Sequence, residues 1–145
     1  MADICFKVID FGSKEYESLL GLRDLILRRP LGLVLSEEDT RGEESQIHIA
    51  GFQKNELICG LIFAPREIGV WQMRQVCVKN DLQRSGAGTL MVRFAEDYAR
   101  QNAVHKIILH SRKASMDFYL KNGYEACGSE YIEIGIPHFT LEKEI

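Results

Sequence analysis

Hydrophobic and polar positions alternate along residues 3–9, with Ile4, Phe6 and Val8 on one side and Cys5, Lys7 and Ile9 on the other, which predicts a strand. Gly12 and Ser13 break that period. From residue 14 to 29, Tyr16, Leu19, Leu20, Arg23, Ile26 and Leu27 recur at helical spacing; Ser13 can cap the start, and Pro30 with Gly32 ends the run. Residues 36–45 hold five acidic side chains and Gly42, and read as an exposed loop with room for a helical turn. Apolar runs at 47–52 and 57–63 flank a hairpin turn at 53–56, and a second connection at 65–69 leads into a strand over 70–78. The period then changes. Leu90, Met91, Phe94, Ala95 and Tyr98 share one helical face while Arg93, Glu96, Asp97 and Arg100 share the other. A buried strand at 106–110 follows, so the crossover is right-handed and joins parallel strands. A second helix over 112–122 stops at Asn122-Gly123, and strands at 124–127 and 139–143 finish the chain, with 131–134 adding to one of them. The class is α+β, with a central mixed, mostly antiparallel sheet flanked by helices.

Composition bounds what such a chain can be. Its 145 residues are 46% hydrophobic, enough for one core, and about two thirds of the extended chain's surface can be buried without disulfides or metal. We expect one domain over 1–145. No apolar run is long enough to span a bilayer and the start lacks the order of a signal peptide, so the expected location is cytoplasmic. Cys5, Cys59, Cys77 and Cys127 are widely spaced and read as reduced core residues, and no metal site is expected. A net charge of −3 argues against nucleic acid or an anionic membrane as the main partner. Its distribution says more: residues 72–113 carry eight Lys and Arg against three Asp and Glu, a basic window in an otherwise acidic protein.

That window contains Gln83-Arg84-Ser85-Gly86-Ala87-Gly88, between a strand and an amphipathic helix. A helix start leaves backbone N–H groups unpaired and carries partial positive charge, and glycines let a phosphate come close. A dinucleotide fingerprint would need Gly or Ala where Met91 stands, and a P-loop would need Gly-Lys-Ser/Thr at its close. A strand-to-helix turn with no ligand is the structural alternative.

Gln83-x-x-Gly86-x-Gly88, following Val76-Cys77-Val78, resembles the acetyl-CoA pyrophosphate loop of the GNAT N-acetyltransferase superfamily. A second match, Ala114-x-x-x-Phe118-Tyr119-x-x-x-Gly123-Tyr124, lies about thirty residues on. Arg74-Gln75 and Glu133-x-Gly135-Ile136-Pro137-His138 are also similar to the small ElaA/YjcF-like branch. The resemblance implies acetyl-CoA as co-substrate, a primary amine as acceptor, and direct attack on the thioester through a tetrahedral intermediate. It implies that Val76 and Val78 offer backbone groups to pantetheine and that the strand splays from its neighbour there. The amides of Arg84, Ser85, Gly86, Ala87, Gly88 and Thr89, after Gln83, would hold the pyrophosphate, with charge from Arg84 and Lys79. Donors for the acetyl oxygen would come from the backbone near Cys77 or Val78. Tyr119 occupies the position of the general acid.

The base is less determined. The strand over 70–78 has no carboxylate, so the glutamate of some relatives is missing. His110, Glu133 and His138 are the candidates, with His138 preferred for its Gly-Ile-Pro-His context, since an imidazole titrates near neutrality. An acyl-cysteine route through Cys77 is disfavoured because an apolar strand buries the thiol. His48 and His105 read as surface residues, and Trp71, Phe63 and Tyr131 as core or groove walls. A CoA-binding sensor without catalysis is the alternative function; a hydrolase lacks a nucleophile elbow. The resemblance implies an acceptor groove built from the first helices, residues 30–45 and 128–138, its acidic loop either solvated or facing a cationic amine. The resemblance leaves room for a homodimer, which in such relatives forms through the sheet edge or late strands.

Overall fold

The computed structural model describes residues 3–145. Seven strands form one sheet in the order β1-β2-β3-β4-β5-β7-β6. They are β1 (Cys5–Ile9), β2 (Ile47–Gln53), β3 (Glu56–Glu67), β4 (Val70–Val78), β5 (Lys106–Arg112), β6 (Glu125–Glu133) and β7 (Ile136–Glu144). All neighbours are antiparallel except β4 and β5, which run parallel across the crossover that the pattern predicts. The helices are α1 (Lys14–Arg23), α2 (Glu37–Thr40), α3 (Ala87–Gln101) and α4 (Met116–Lys121). This is the expected mixed, mostly antiparallel α+β architecture.

Two apolar layers sandwich the sheet. On one face α1 packs Tyr16, Leu19 and Leu22 with Ile9, Ala50 and Cys77. Gly60 on β3 permits this approach, because a Cβ there would overlap Leu19. On the other face Met91, Val92, Ala95 and Ala99 of α3 meet Ile49, Leu61, Phe63, Met73 and Ile107 of the sheet, with Tyr119 and Tyr124 completing the layer.

The helix expected over 14–29 is present but changes winding. Ser13 caps α1 through the Tyr16 N–H at 3.1 Å, and α1 continues into a π turn, Asp24–Arg28, and a 3₁₀ turn, Arg29–Leu31, closed by Gly32 at φ 75°. Pro30 has no N–H to donate, so the regular ladder cannot continue, and the Arg29 N–H reaches back five residues to the Asp24 carbonyl.

Several expectations are corrected. The acidic segment is not simply solvated: α2 opens with a Ser36/Asp39 capping box, and Glu43 is fully buried. Arg23 holds Glu43 with two 2.8 Å hydrogen bonds, Tyr16 donates a third at 2.8 Å, and the ring Nε2 of His48 contacts the Glu43 carbonyl at 2.8 Å. His48, read as a surface residue, is therefore buried, whereas His105 is exposed as expected. Glu96, assigned to the polar face of α3, is buried against the Tyr124 hydroxyl at 2.9 Å and Lys143 at 3.0 Å. Leu90, assigned to the apolar face, is exposed. Pro65 does not end β3, and β6 runs unbroken in sequence from residue 125 to 133 with a bulge between Cys127 and Tyr131. Of the cysteines, all unpaired, only Cys59 and Cys77 are buried; Cys5 is exposed and Cys127 half-buried.

Candidate active site

The site begins with a break in the sheet. β4 and β5 pair only over Val70–Met73 against Lys106–Leu109. Beyond Met73, β5 keeps its bonds to β7 while β4 follows β3, and a cleft opens between them. The divergence coincides with a bulge: Gly60 pairs with Cys77 and Ile62 with Arg74, so β4 carries one residue too many, and Gln75 takes φ 54°. A bulge reverses which side chains face which side. Met73 points to the α3 layer, yet Cys77, four residues on, points to the α1 layer, and Val76 and Val78 pack toward α3. The Lys79 N–H donates to the Ile58 carbonyl at 2.8 Å, so by alternation the N–H of Val78 faces away from β3, toward the cleft.

The glycine-rich loop follows directly. A short 3₁₀ turn, Asn80–Leu82, leads to Gln83, whose Nε2 donates to the Val78 carbonyl at 3.0 Å and to Asn80 Oδ1 at 3.2 Å, fastening the loop to β4. Ser85 donates its hydroxyl to the Leu82 carbonyl and accepts the Ala87 N–H at 3.4 Å. Gly86 sits at φ 96°, a conformation that only glycine adopts freely, and is the N-cap of α3. The amides of Gly88 and Thr89 precede the first helical bond, from the Leu90 N–H to the Gly86 carbonyl. α3 has no side-chain cap and no acidic residue in its first turn, whereas α1 and α2 have both. Its positive end is therefore left for something else. Gly88 lies against Phe118, 3.2 Å from where a Cβ would stand, which ties the loop to α4 and to Tyr119 beside it.

A cleft of about 360 Å³ runs along the opened edge. Of the residues singled out by sequence, Val76, Tyr119, His110, Glu133 and His138 line it; the loop from Gln83 to Thr89 does not, and lies past the end of β4. Tyr119 is set apart from the other buried tyrosines. Tyr16 and Tyr124 donate their hydroxyls to Glu43 and Glu96, but no group among the described residues takes that of Tyr119. Burial, followed by the nearby Cys77 sulfur, holds its pKa above the ordinary tyrosine value. The three candidate bases form one cluster. Glu133 lies 3.5 Å from His138 Nε2 and 3.7 Å from His110 Nδ1, and Tyr131 packs its ring against both imidazoles. His138 Nδ1 is 3.0 Å from the Ile136 carbonyl. A carbonyl only accepts, so Nδ1 carries a proton and Nε2 of the neutral ring presents its lone pair.

Residues 34–145 match the model of the acetyltransferase (GNAT) domain. The chain belongs to the GNAT acetyltransferase family. This GNAT domain is also 30% identical over 110 residues to the uncharacterised protein YyaT of Bacillus subtilis strain 168, covering 75% of this chain and 72% of that protein. Its fold is similar to that of Escherichia coli ElaA (TM-score 0.84, 18% identity, 98% of this chain and 100% of that one). It is also similar to a GNAT acetyltransferase from Elizabethkingia anophelis solved with acetyl-CoA bound (TM-score 0.76, 17% identity, 98% of each chain).

Cys77 of this GNAT domain is fully packed, and burial pushes its thiol up to about 12, as it does for Cys59. A nucleophilic thiolate is not available there at neutral pH. Lys79, expected to supply loop charge, is paired with Glu56 at 2.6 Å, while Arg84 is exposed with no ion-pair partner among the described residues. Two charged cleft residues escaped sequence reasoning as site residues: Arg28, from the π turn after α1, and Arg112, at the end of β5. Their signal in sequence is only a basic residue at an element's end, which is common on any surface. Among the described residues no helix is long and apolar enough to cross a membrane, and no group of three or more His, Cys, Asp or Glu is arranged to hold a metal.

Proposed function

We propose that this GNAT domain is an acetyl-CoA-dependent N-acetyltransferase acting on a primary amine, within the ElaA/YjcF-like branch whose pattern Arg74-Gln75 and residues 133–138 follow. Tyr119 carries the reading: a buried hydroxyl with no protein acceptor opens on a cleft that already holds a proton-accepting cluster. The fit to acetyl-CoA rests on the uncapped start of α3 and the unpaired edge of β4. Val76 and Val78 would meet pantetheine through their backbone, and the amides around Gly86 and Gly88 would meet the pyrophosphate, with Arg84 adding charge. Gln83 and Ser85 position that loop rather than touch its ligand.

Bound acetyl-CoA supplies the acetyl group as an activated thioester. The arriving ammonium gives a proton to His138 Nε2, and the Glu133 carboxylate at 3.5 Å stabilises the imidazolium that results, with His110 on its other oxygen. Tyr119 stays protonated because burial raises its pKa, and its Oη donates to the departing sulfur. The second amine proton leaves the nitrogen as the tetrahedral intermediate collapses and returns to the Tyr119 phenolate, so the amide, free CoA and one proton held at His138 Nε2 result.

Tyr119→Phe is expected to lower kcat about a hundredfold while the Kd for CoA, measured by calorimetry, stays within about twofold. An unchanged kcat would remove Tyr119 from the mechanism. If no amine from a broad panel releases CoA from acetyl-CoA above background, the N-acetyltransferase reading fails and a CoA-binding sensor takes its place.

A further inference from the structure

The cleft is lined by three arginines and one carboxylate, in a protein whose net charge is −3. The partners of those arginines differ. Arg28 is neutralised by Asp39 at 3.3 Å. Arg74 donates to the amide oxygen of Gln46 at 2.8 Å, and Arg112 donates to the Leu27 carbonyl at 3.0 Å, so both have only neutral acceptors. Neither is within ion-pair distance of a carboxylate among the described residues. Both are half-buried, and burial lowers the pKa of each, partly offset at Arg74 by the more distant Glu43 and Glu133 carboxylates and reinforced at Arg112 by the Arg28 charge. A desolvated cation without a counter-ion is unfavourable until an anion arrives, and a guanidinium fork suits a carboxylate. The three sit on different elements, β4, β5 and the turn after α1, and converge on the cavity that also holds Tyr119, Glu133 and His138.

We infer that the acceptor is a primary amine that also carries a carboxylate, an amino-acid-like compound whose acid end is held by Arg112 and Arg74 while its amine faces His138 and Glu133. A polyamine is disfavoured in the same cleft by like charge. This rests on the N-acetyltransferase reading for its chemistry, and a binding measurement separates the two.

The test compares L-amino acids with their carboxamides, by CoA release and by calorimetric titration into the CoA-loaded protein. The acids are expected to exceed the amides at least tenfold in kcat/KM and in affinity. Arg112→Gln and Arg74→Gln should each bring the acid-to-amide ratio down by about tenfold, and Arg112→Lys, which keeps the charge, should retain part of it. Amides or polyamines equal to the acids in both measurements would overturn the inference, as would arginine variants that weaken CoA binding and leave the ratio unchanged. Acids that bind selectively without any CoA release would uphold the ligand class and sink the transferase reading instead.

Discussion

Gly86 and Gly88 are two residues apart in one motif, but they are glycines for different reasons. Gly86 has open space where a Cβ would go and a left-handed backbone, so Gly86→Ala is strained by about 1–2 kcal/mol whatever its neighbours do. Gly88 has no positive φ; its Cβ would press on the Phe118 ring at 3.2 Å. Both alanine variants are expected to weaken CoA binding, and adding Phe118→Leu should recover stability for Gly88→Ala but not for Gly86→Ala, as read by urea denaturation. Cys77 gives a second residue-level prediction. With its thiol pushed up to about 12 by burial, mass spectrometry after incubation with acetyl-CoA should find no acetyl group on Cys77, and a thiol reagent under native conditions should label exposed Cys5 first. The loop's residue types were legible in sequence because glycine and a helix start constrain chemistry locally. The separate duties of its members were not, since Gln83 and Ser85 act through bonds that exist only after the loop folds against β4.

Elements place the site through two irregularities, the bulge in β4 and the change of winding after α1. The bulge inverts the facing of Val76, Cys77 and Val78 and releases the edge of β4; the π turn presents Arg28 and the Leu27 carbonyl that anchors Arg112. Behind them, Arg23, Glu43, Tyr16 and His48 fasten the acidic segment to α1 and β2. Removing one partner of a buried ion pair strands the other, so Glu43→Ala should destabilise the fold by about 3–5 kcal/mol. The double variant Arg23→Met, Glu43→Leu should recover much of that, measured by urea denaturation. The periodicity of residues 14–29 placed Arg23 among apolar positions, which is where it lies, but a run of acidic residues gives no sign of which one will be buried.

For the whole molecule, the same network makes stability depend on acid. Burial lowers the His48 pKa below the usual 6.5 or so, against the opposing pull of Glu43 and with Arg23 and Arg74 adding positive charge. Burial alone would raise Glu43, but the Arg23 guanidinium and Tyr16 hydroxyl outweigh it and hold its pKa below the usual carboxylate range. In both cases the unfolded chain binds more protons at the lower pH, so these contributions are complete above the unfolded pKa and are lost as pH falls. Calorimetry should show a flat Tm from about pH 7 to 8, a first decline beginning below about 6.5, a steeper one below about 4.3, and a fall above about 8.5 as the unfolded chain ionises the thiols of Cys59 and Cys77. His48→Gln should lower the plateau and remove the first decline. Charge is distributed at this scale too: the cleft carries three arginines against one carboxylate in a protein whose net charge is −3.

The sequence by itself determined the order of strands and helices, the parallel crossover and the loop at the start of α3, because periodicity, caps and glycine positions act over a few residues. It also named His110, Glu133 and His138 without relating them. Only the tertiary structure brought the two histidines onto the Glu133 carboxylate, freed the Tyr119 hydroxyl, buried Glu43 and His48, and turned Arg28, Arg74 and Arg112 into one charged wall. Each of those outcomes depends on contacts between elements distant in the chain, and burial and pairing have no local signature for a sequence to display.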